Sequence, residues 1–398
     1  MNRRRVAFVE FPPAGGLYQF SAQLAAAMAE RGHEVHLYTG PRPELVPQHP
    51  DLRVRPVLPT WHPADPKKIH PLLHKIRRVL RAGQLVVAWL VLLVFLARDR
   101  PGTVIWSNWR YTVDAVGVLA VRRLLRRSRL GLISHEPVLH NRQDTTADRG
   151  GVVLDPALAK AWKSLDVVFV LGEEPRQRVL DRWDPGCPVV AIPHGDENAL
   201  RGGEPVPDVA DTGPNVLFFG TWSAYKGIDV LLDAVPAIKA TVPDAKVVVA
   251  GAVYGVDLPA LQARADALGV ETHPGYVPTE QVPVLFGAAR VVVTPYKRAT
   301  QSGVVHLAYT FDRPVVATSV GELPSVVHDG ETGLLVPPDD APALAAAVVE
   351  LLTDADRAHK MGLAGARWLA DVASWAAVAE KMDAGLLEAD SARVGARR

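Results

Sequence analysis

Residues 287–340 read GAARVVVTPYKRATQSGVVHLAYTFDRPVVATSVGELPSVVHDGETGLLVPPDD, and the order of elements in this stretch decides the fold. Val291 to Val293 is a short β-branched run, the pattern of a strand covered on both faces in a parallel sheet, and Pro295 ends it. After a loop, Thr300, Gln301, Ser302 and Gly303 open the helical segment VVHLAYTF. The first N–H groups of a helix have no intrahelical partner, and open α/β sheets bind ligands beyond the carboxyl ends of their strands. A strand, loop and helix start in this order therefore predict a site for an anion of phosphate size. Pro314 to Thr318 is the next buried strand, and a loop closed by Gly321, Gly330 and Gly333 follows.

Working outward, 398 residues exceed what one core usually organises, so two α/β domains of about 150–200 residues each are expected. A net charge of +1 argues against bulk nucleic-acid binding. The single cysteine, Cys187, has no internal partner, and no CxxC or Cys/His cluster suggests a structural metal, which points to a reducing compartment. The start MNRRRVAFVEF passes from basic residues straight into a strand, without the apolar core of a signal peptide.

Val6 to Glu10, a helix over Ser21 to Arg31 and the strand EVHLYT form a Rossmann-type βαβ beginning. Gly15 and Gly16 lie in its first loop without the full GxGxxG fingerprint, so they serve either a tight connection or a ligand approaching the backbone. Further on, Lys67, Lys68, Lys75, Arg77, Arg78 and Arg81 alternate with Leu72, Leu73, Ile76, Val79 and Leu80, a mixture suited to an anionic membrane surface. The apolar run Leu85 to Ala97 is short of the about 20 residues that cross a bilayer core, and reads as a core helix. The basic cluster of Arg122, Arg123, Arg126, Arg127 and Arg129 closes another helix, either on the same face or as compensation for the helix dipole. TVIWS and LGLIS are later strands of the first sheet, and the second delivers His135 and Glu136 to its carboxyl edge. DVVFVL and VVAI end this half, Pro193-His194-Gly195 turns out of it, and the Gly/Pro/Asp-rich Arg201 to Pro214 is the predicted hinge. The second half opens with the strand Asn215 to Phe219, the loop Gly220-Thr221-Trp222-Ser223-Ala224-Tyr225-Lys226-Gly227 and a helix. The strands KVVVAG and THPGYV and three terminal helices complete it.

PVVATSVGELPSVVHDGETGLLVPPDD resembles the C-terminal signature of the retaining glycosyltransferases of family 4, and the resemblance covers nearly the whole chain. It implies the GT-B fold, two Rossmann-like domains with a deep interdomain cleft and a C-terminal helix crossing back to the first domain. The expected boundaries are 1–203 for an acceptor-binding domain, 204–376 for a nucleotide-sugar domain and 377–398 for the returning helix. The resemblance implies a metal-independent, retaining hexosyltransferase without a cofactor. It would move a sugar from a UDP- or GDP-type donor in the cytoplasm, and the stretch Lys67 to Arg81 followed by Leu85 to Ala97 adds the expectation of a lipid-linked or polysaccharide acceptor met peripherally on the inner face of the plasma membrane. His135 would face the donor sugar, and Lys226 matches the family's diphosphate-binding lysine. Gly15, Gly16, Gly220, Thr221, Lys297, Gln301, Ser302 and Gly303 complete the expected donor contacts. Two departures stand out: the family's paired glutamates fall on Ala299 and Leu307, and Thr221 stands where an arginine is common, which gives Lys297 and Arg298 the task of supplying positive charge. A nucleotide-sugar-binding scaffold with weak catalysis is the alternative that these departures leave open, and a phosphorylase or epimerase is another.

Overall fold

The computed structural model describes residues 3–61, 73–107, 109, 112–135, 156–202, 205–299 and 302–395, without the side chains of 73–79, 112, 394 and 395. They form two compact units, 1–193 together with 375–398, and 194–374. The chain leaves the first unit at Pro193/His194, upstream of the expected hinge. Residues 194–201 belong with the second unit because they bond to it: Glu197 N donates to Thr310 Oγ1 at 3.0 Å, and Arg201 reaches Thr310 O and Asp312.

The first unit holds a seven-stranded sheet: β1 (Arg5–Val9), β2 (Glu34–Tyr38), β3 (Leu52–Arg55), β4 (Thr103–Trp106), β5 (Arg129–Ser134), β6 (Val167–Val170) and β7 (Val189–Ala191). Their spatial order is β3-β2-β1-β4-β5-β6-β7, parallel throughout. The second unit holds β8 (Asn215–Phe219), β9 (Lys246–Gly251), β10 (Glu271–Pro274), β11 (Val291–Thr294), β12 (Val315–Thr318) and β13 (Gly333–Val336), in the order β10-β9-β8-β11-β12-β13 and again parallel. Strand order reverses between β1 and β4 in one sheet and between β8 and β11 in the other, which marks the carboxyl ends of those strands as ligand crevices. β4, β6, β11 and β12 are buried along their whole length, as their unbroken apolar runs require.

Helix α1 (Gly16–Glu30) covers one face of the first sheet, and the C-terminal helix Trp375–Gly395 packs beside it in the same core, burying Val378, Ala379, Met382, Leu386 and Ala389. A Cβ at Gly385 would lie 2.8 Å from the Phe169 ring, so glycine there lets the helix sit close on β6. Two aspartates fasten it. Asp383 takes Arg31 at 2.6 Å and His33 at 2.8 Å, and Asp390 takes Arg4 at 2.9 Å and also Arg129.

Helix α2 (Leu73–Asp99) is longer than the expected apolar run, and by length and composition its Leu80–Asp99 part is long and apolar enough to cross a membrane. It uses one face for the core. Leu85, Ala88, Trp89, Leu92 and Leu96 recur at helical spacing and are buried. Trp89 Nε1 donates to Asp114 Oδ1 at 2.9 Å on α3 (Thr112–Leu124), where Gly117 leaves room for the indole. The opposite face is also apolar: Leu80, Val86, Val87, Leu90 and Val94 are exposed.

Candidate functional site

The carboxyl edge of the second sheet is built from the loops that follow β8 and β11. Gly220 leaves β8 at φ 120°, and Gly251 faces it so closely that a side chain there would overlap the Gly220 carbonyl. Thr221 is exposed, Trp222 is fully buried, and Ala224–Lys226 makes one 3₁₀ turn. Gly227 then takes φ 68°, and a Cβ on it would run into the carbonyl of Pro295. That contact joins the two loops, and Lys297 N adds a bond to Tyr225 O at 2.8 Å. The Lys226 ammonium lies 3.6 Å from the centroid of the Tyr296 ring and 5.2 Å from that of Tyr225.

Helix Gly303–Thr310 starts at the same edge. Ser302 occupies its N-cap position, but its hydroxyl makes no cap bond and lies instead 3.1 Å from the Tyr296 hydroxyl. A cap side chain normally satisfies one of the first N–H groups; here none does so from that position. The His194 ring lies against Gly303, where a Cβ would be 2.9 Å from its Cε1 and Nε2. It also lies tilted, with ring centroids 5.1 Å apart, against His306, which is buried. Burial lowers the His306 pKa to about 4 against a smaller opposing bond to Ser302 O, so the ring is neutral near pH 7.

Of the expected contacts, Gly220, Thr221, Lys226, Ser302 and Gly303 gather at this edge; Gln301 lies outside the described residues. Lys297 is there too, in different surroundings. Its Nζ is 2.7 Å from Asp229 Oδ2 and 2.9 Å from Asp339 Oδ1. Burial alone would lower its pKa, but the two carboxylates outweigh burial and raise it. The charge is thus held by two anions and is not directed as the sequence suggests. Ala299 and Leu307, at the positions of the paired glutamates, are buried core residues.

In the first unit Gly15 has φ 92° and caps α1, and an added Cβ at Gly15 or Gly16 would meet nothing within 4 Å. The backbone there is approachable, and Gly15 N donates to Glu44 Oε2 at 2.9 Å, so a carboxylate already holds one amide of the loop expected to contact the donor. His135 follows β5 at the carboxyl edge, buried, with the Phe20 ring 4.7 Å away and perpendicular to it. Glu136 is outside the described residues. Glu10 and Ser107, the first residues after β1 and β4, are also buried polar groups on this edge. Sequence reading passed over them, and over His194, although each is the first polar residue after a buried run or turn.

Two family models match the chain: Glycosyltransferase Family 4 over residues 14–198 and Glycosyl transferases group 1 over residues 213–354. A GDP-mannose-dependent alpha-(1-6)-phosphatidylinositol monomannoside mannosyltransferase of Mycolicibacterium smegmatis is 30% identical over 238 residues, 55% of this chain and 61% of that one. The match thus spans less than two thirds of that relative's length. Sucrose-phosphate synthase from Thermosynechococcus elongatus superposes with a TM-score of 0.72 at 23% identity, covering 98% of this chain and 100% of that one. Anabaena HepE, solved in complex with UDP-glucose, gives 0.68 at 14% identity over 96% of this chain and 99% of that one. At such identities the likeness shows the fold, two Rossmann-like units of the GT-B kind.

Proposed function

The chain belongs to glycosyltransferase family 4, and on that premise we propose that it moves a sugar from a nucleotide-diphosphate donor to a lipid-linked or glycan acceptor. Transfer proceeds with retention at the anomeric carbon and without a bound metal. One observation carries the reading: the Lys226 ammonium and the start of helix Gly303–Thr310 stand one tyrosine ring apart at the β8/β11 switch point. Positive charge and helix N–H groups at that place suit a diphosphate, and they stabilise it most as it leaves with added negative charge. In the chemistry proposed, the bond from C1 to the diphosphate oxygen breaks while the acceptor oxygen bonds to the same face of the sugar. The leaving phosphate oxygen takes the acceptor's hydroxyl proton. His135 orients the donor sugar.

The acceptor rests on two supports. The mycobacterial relative is named for a phosphatidylinositol-linked acceptor and for GDP-mannose. On this chain the outer face of α2 presents Leu80, Val87, Leu90 and Val94, with the exposed Arg98 at its C-terminal end, as an in-plane helix on an anionic membrane would. The proposed place of action is the cytoplasmic surface of a membrane. A second reading, a nucleotide-sugar-binding scaffold, is favoured by the apolar Ala299 and Leu307.

Purified protein incubated with GDP-mannose or UDP-glucose and liposomes of anionic bacterial lipid separates the two. The proposal expects nucleoside diphosphate release with one donor, an α-linked lipid product by NMR, and protein that floats with the liposomes at low salt. Donor binding without release would favour the scaffold.

A further inference from the structure

The proposed donor site depends on two anion-binding groups, Lys226 and the start of helix Gly303–Thr310, that come from different loops. Tyr296 touches both. It follows β11 and is fully buried, with its N–H bonded to Thr294 O at 2.8 Å and its carbonyl accepting from Thr318 Oγ1 at 2.6 Å. The backbone that carries the side chain is therefore anchored to β11 and β12. Its ring lies 3.6 Å beneath the Lys226 ammonium, and its hydroxyl is 3.1 Å from Ser302 Oγ.

We propose that Tyr296 is a positioning residue: its ring seats the Lys226 ammonium and its hydroxyl fixes Ser302, so that one rigid side chain sets the spacing of the two groups that hold the diphosphate. The inference rests on the proposed donor site and adds to it a residue that touches no donor atom. An aromatic face attracts a cation through its quadrupole and brings no formal negative charge to cancel it. Burial pushes the phenol pKa up to about 12, against a smaller effect of the Ser302 bond, so the ring stays neutral and its hydroxyl keeps a proton to share. The bond to Tyr296 occupies the Ser302 hydroxyl, which makes no bond at the cap position.

A residue that merely filled the core would matter through its shape alone. The test therefore changes the ring's electrons and keeps its shape, by replacing Tyr296 with phenylalanine and with mono-, di- and trifluorophenylalanine. GDP and UDP binding is measured by calorimetry on the full chain in each variant, alone and combined with Lys226→Ala. In the Lys226 background each fluorine should weaken the tighter nucleotide about two- to threefold, in steps. In the Lys226→Ala background the same series should be flat. Tyr296→Phe itself should cost about threefold or less, the share of the Ser302 bond. Affinity indifferent to fluorination, or falling equally in both backgrounds, would overturn the inference while leaving the donor site standing. If Lys226→Ala alone changed neither nucleotide's affinity, the donor site would be wrong as well.

Discussion

Lys226 and Lys297 stand on adjoining loops of one sheet edge and carry the same charge, yet they sit in opposite surroundings. One lies over the face of a buried tyrosine, and the other lies between two aspartates that close the loops around it. Sequence reading assigned both a positive charge for a diphosphate, Lys226 by family resemblance and Lys297 in place of a missing arginine, and neither ground reports what already holds the charge. The difference separates the lysine proposed to meet a ligand, seated on an aromatic ring, from one that braces the loops beside it.

The largest effect that would break this comparison belongs to Lys226. Lys226→Ala should lower kcat/KM about a hundredfold or more, the loss of one electrostatic contact to developing charge. A smaller effect sharpens the idea that ion pairs here are used for bracing, since the first unit relies on the same device at Asp383. Burial alone would raise that carboxyl's pKa, but the bonds from His33 and Arg31, and then their charges, bring it below its ordinary 3.8. Its contribution is therefore fully present above the unfolded value and is lost as pH falls through the folded one. Asp383→Asn should cost about 1–2 kcal/mol at pH 7, and denaturant titrations should find the gap from wild type closing below pH 3.8. A gap that does not narrow as pH falls below that value would mean that the aspartate acts by shape. The smallest effect is that of Lys297→Ala: kcat/KM within about threefold of wild type and a melting temperature lowered by about 1–3 °C. Equal kinetic losses for the two lysines would erase the distinction.

The buried strands of both sheets were legible. Asn215–Phe219 and Lys246–Gly251 are strands over the residues expected, because a strand covered on both faces must be a continuous apolar run and few other segments are. β13 was hidden inside what read as a glycine-closed loop. Its first residue, Gly333, packs where a Cβ would overlap Val315 O, so the glycine that looked like a turn is a close strand contact. The short β3, LRVR, was missed since its arginines break the apolar pattern at a sheet edge. α2 was cut short because apolar residues on two faces leave no periodicity to read, and only the structure separates Leu85, Trp89 and Leu92 from Leu90 and Val94. At the candidate site, the backbone features could be placed from the order of strand, loop and helix, and Lys226 from the family resemblance of its loop. The aspartates around Lys297 come from segments 68 residues before it and 42 after it, and the histidine against Gly303 comes from over a hundred residues upstream, so no local pattern announces them.

The central claim is that the β8/β11 edge binds a nucleotide-diphosphate sugar through Lys226. Thermal unfolding of wild type and Lys226→Ala against UDP-, GDP- and dTDP-sugars tests it most directly. A donor at about a hundred times its dissociation constant stabilises the folded chain by about 2.7 kcal/mol. The account predicts a rise in melting temperature with one nucleotide class in the wild type, and little or none at the same concentration in the variant. No rise with any donor, or an equal rise in both proteins, would contradict it.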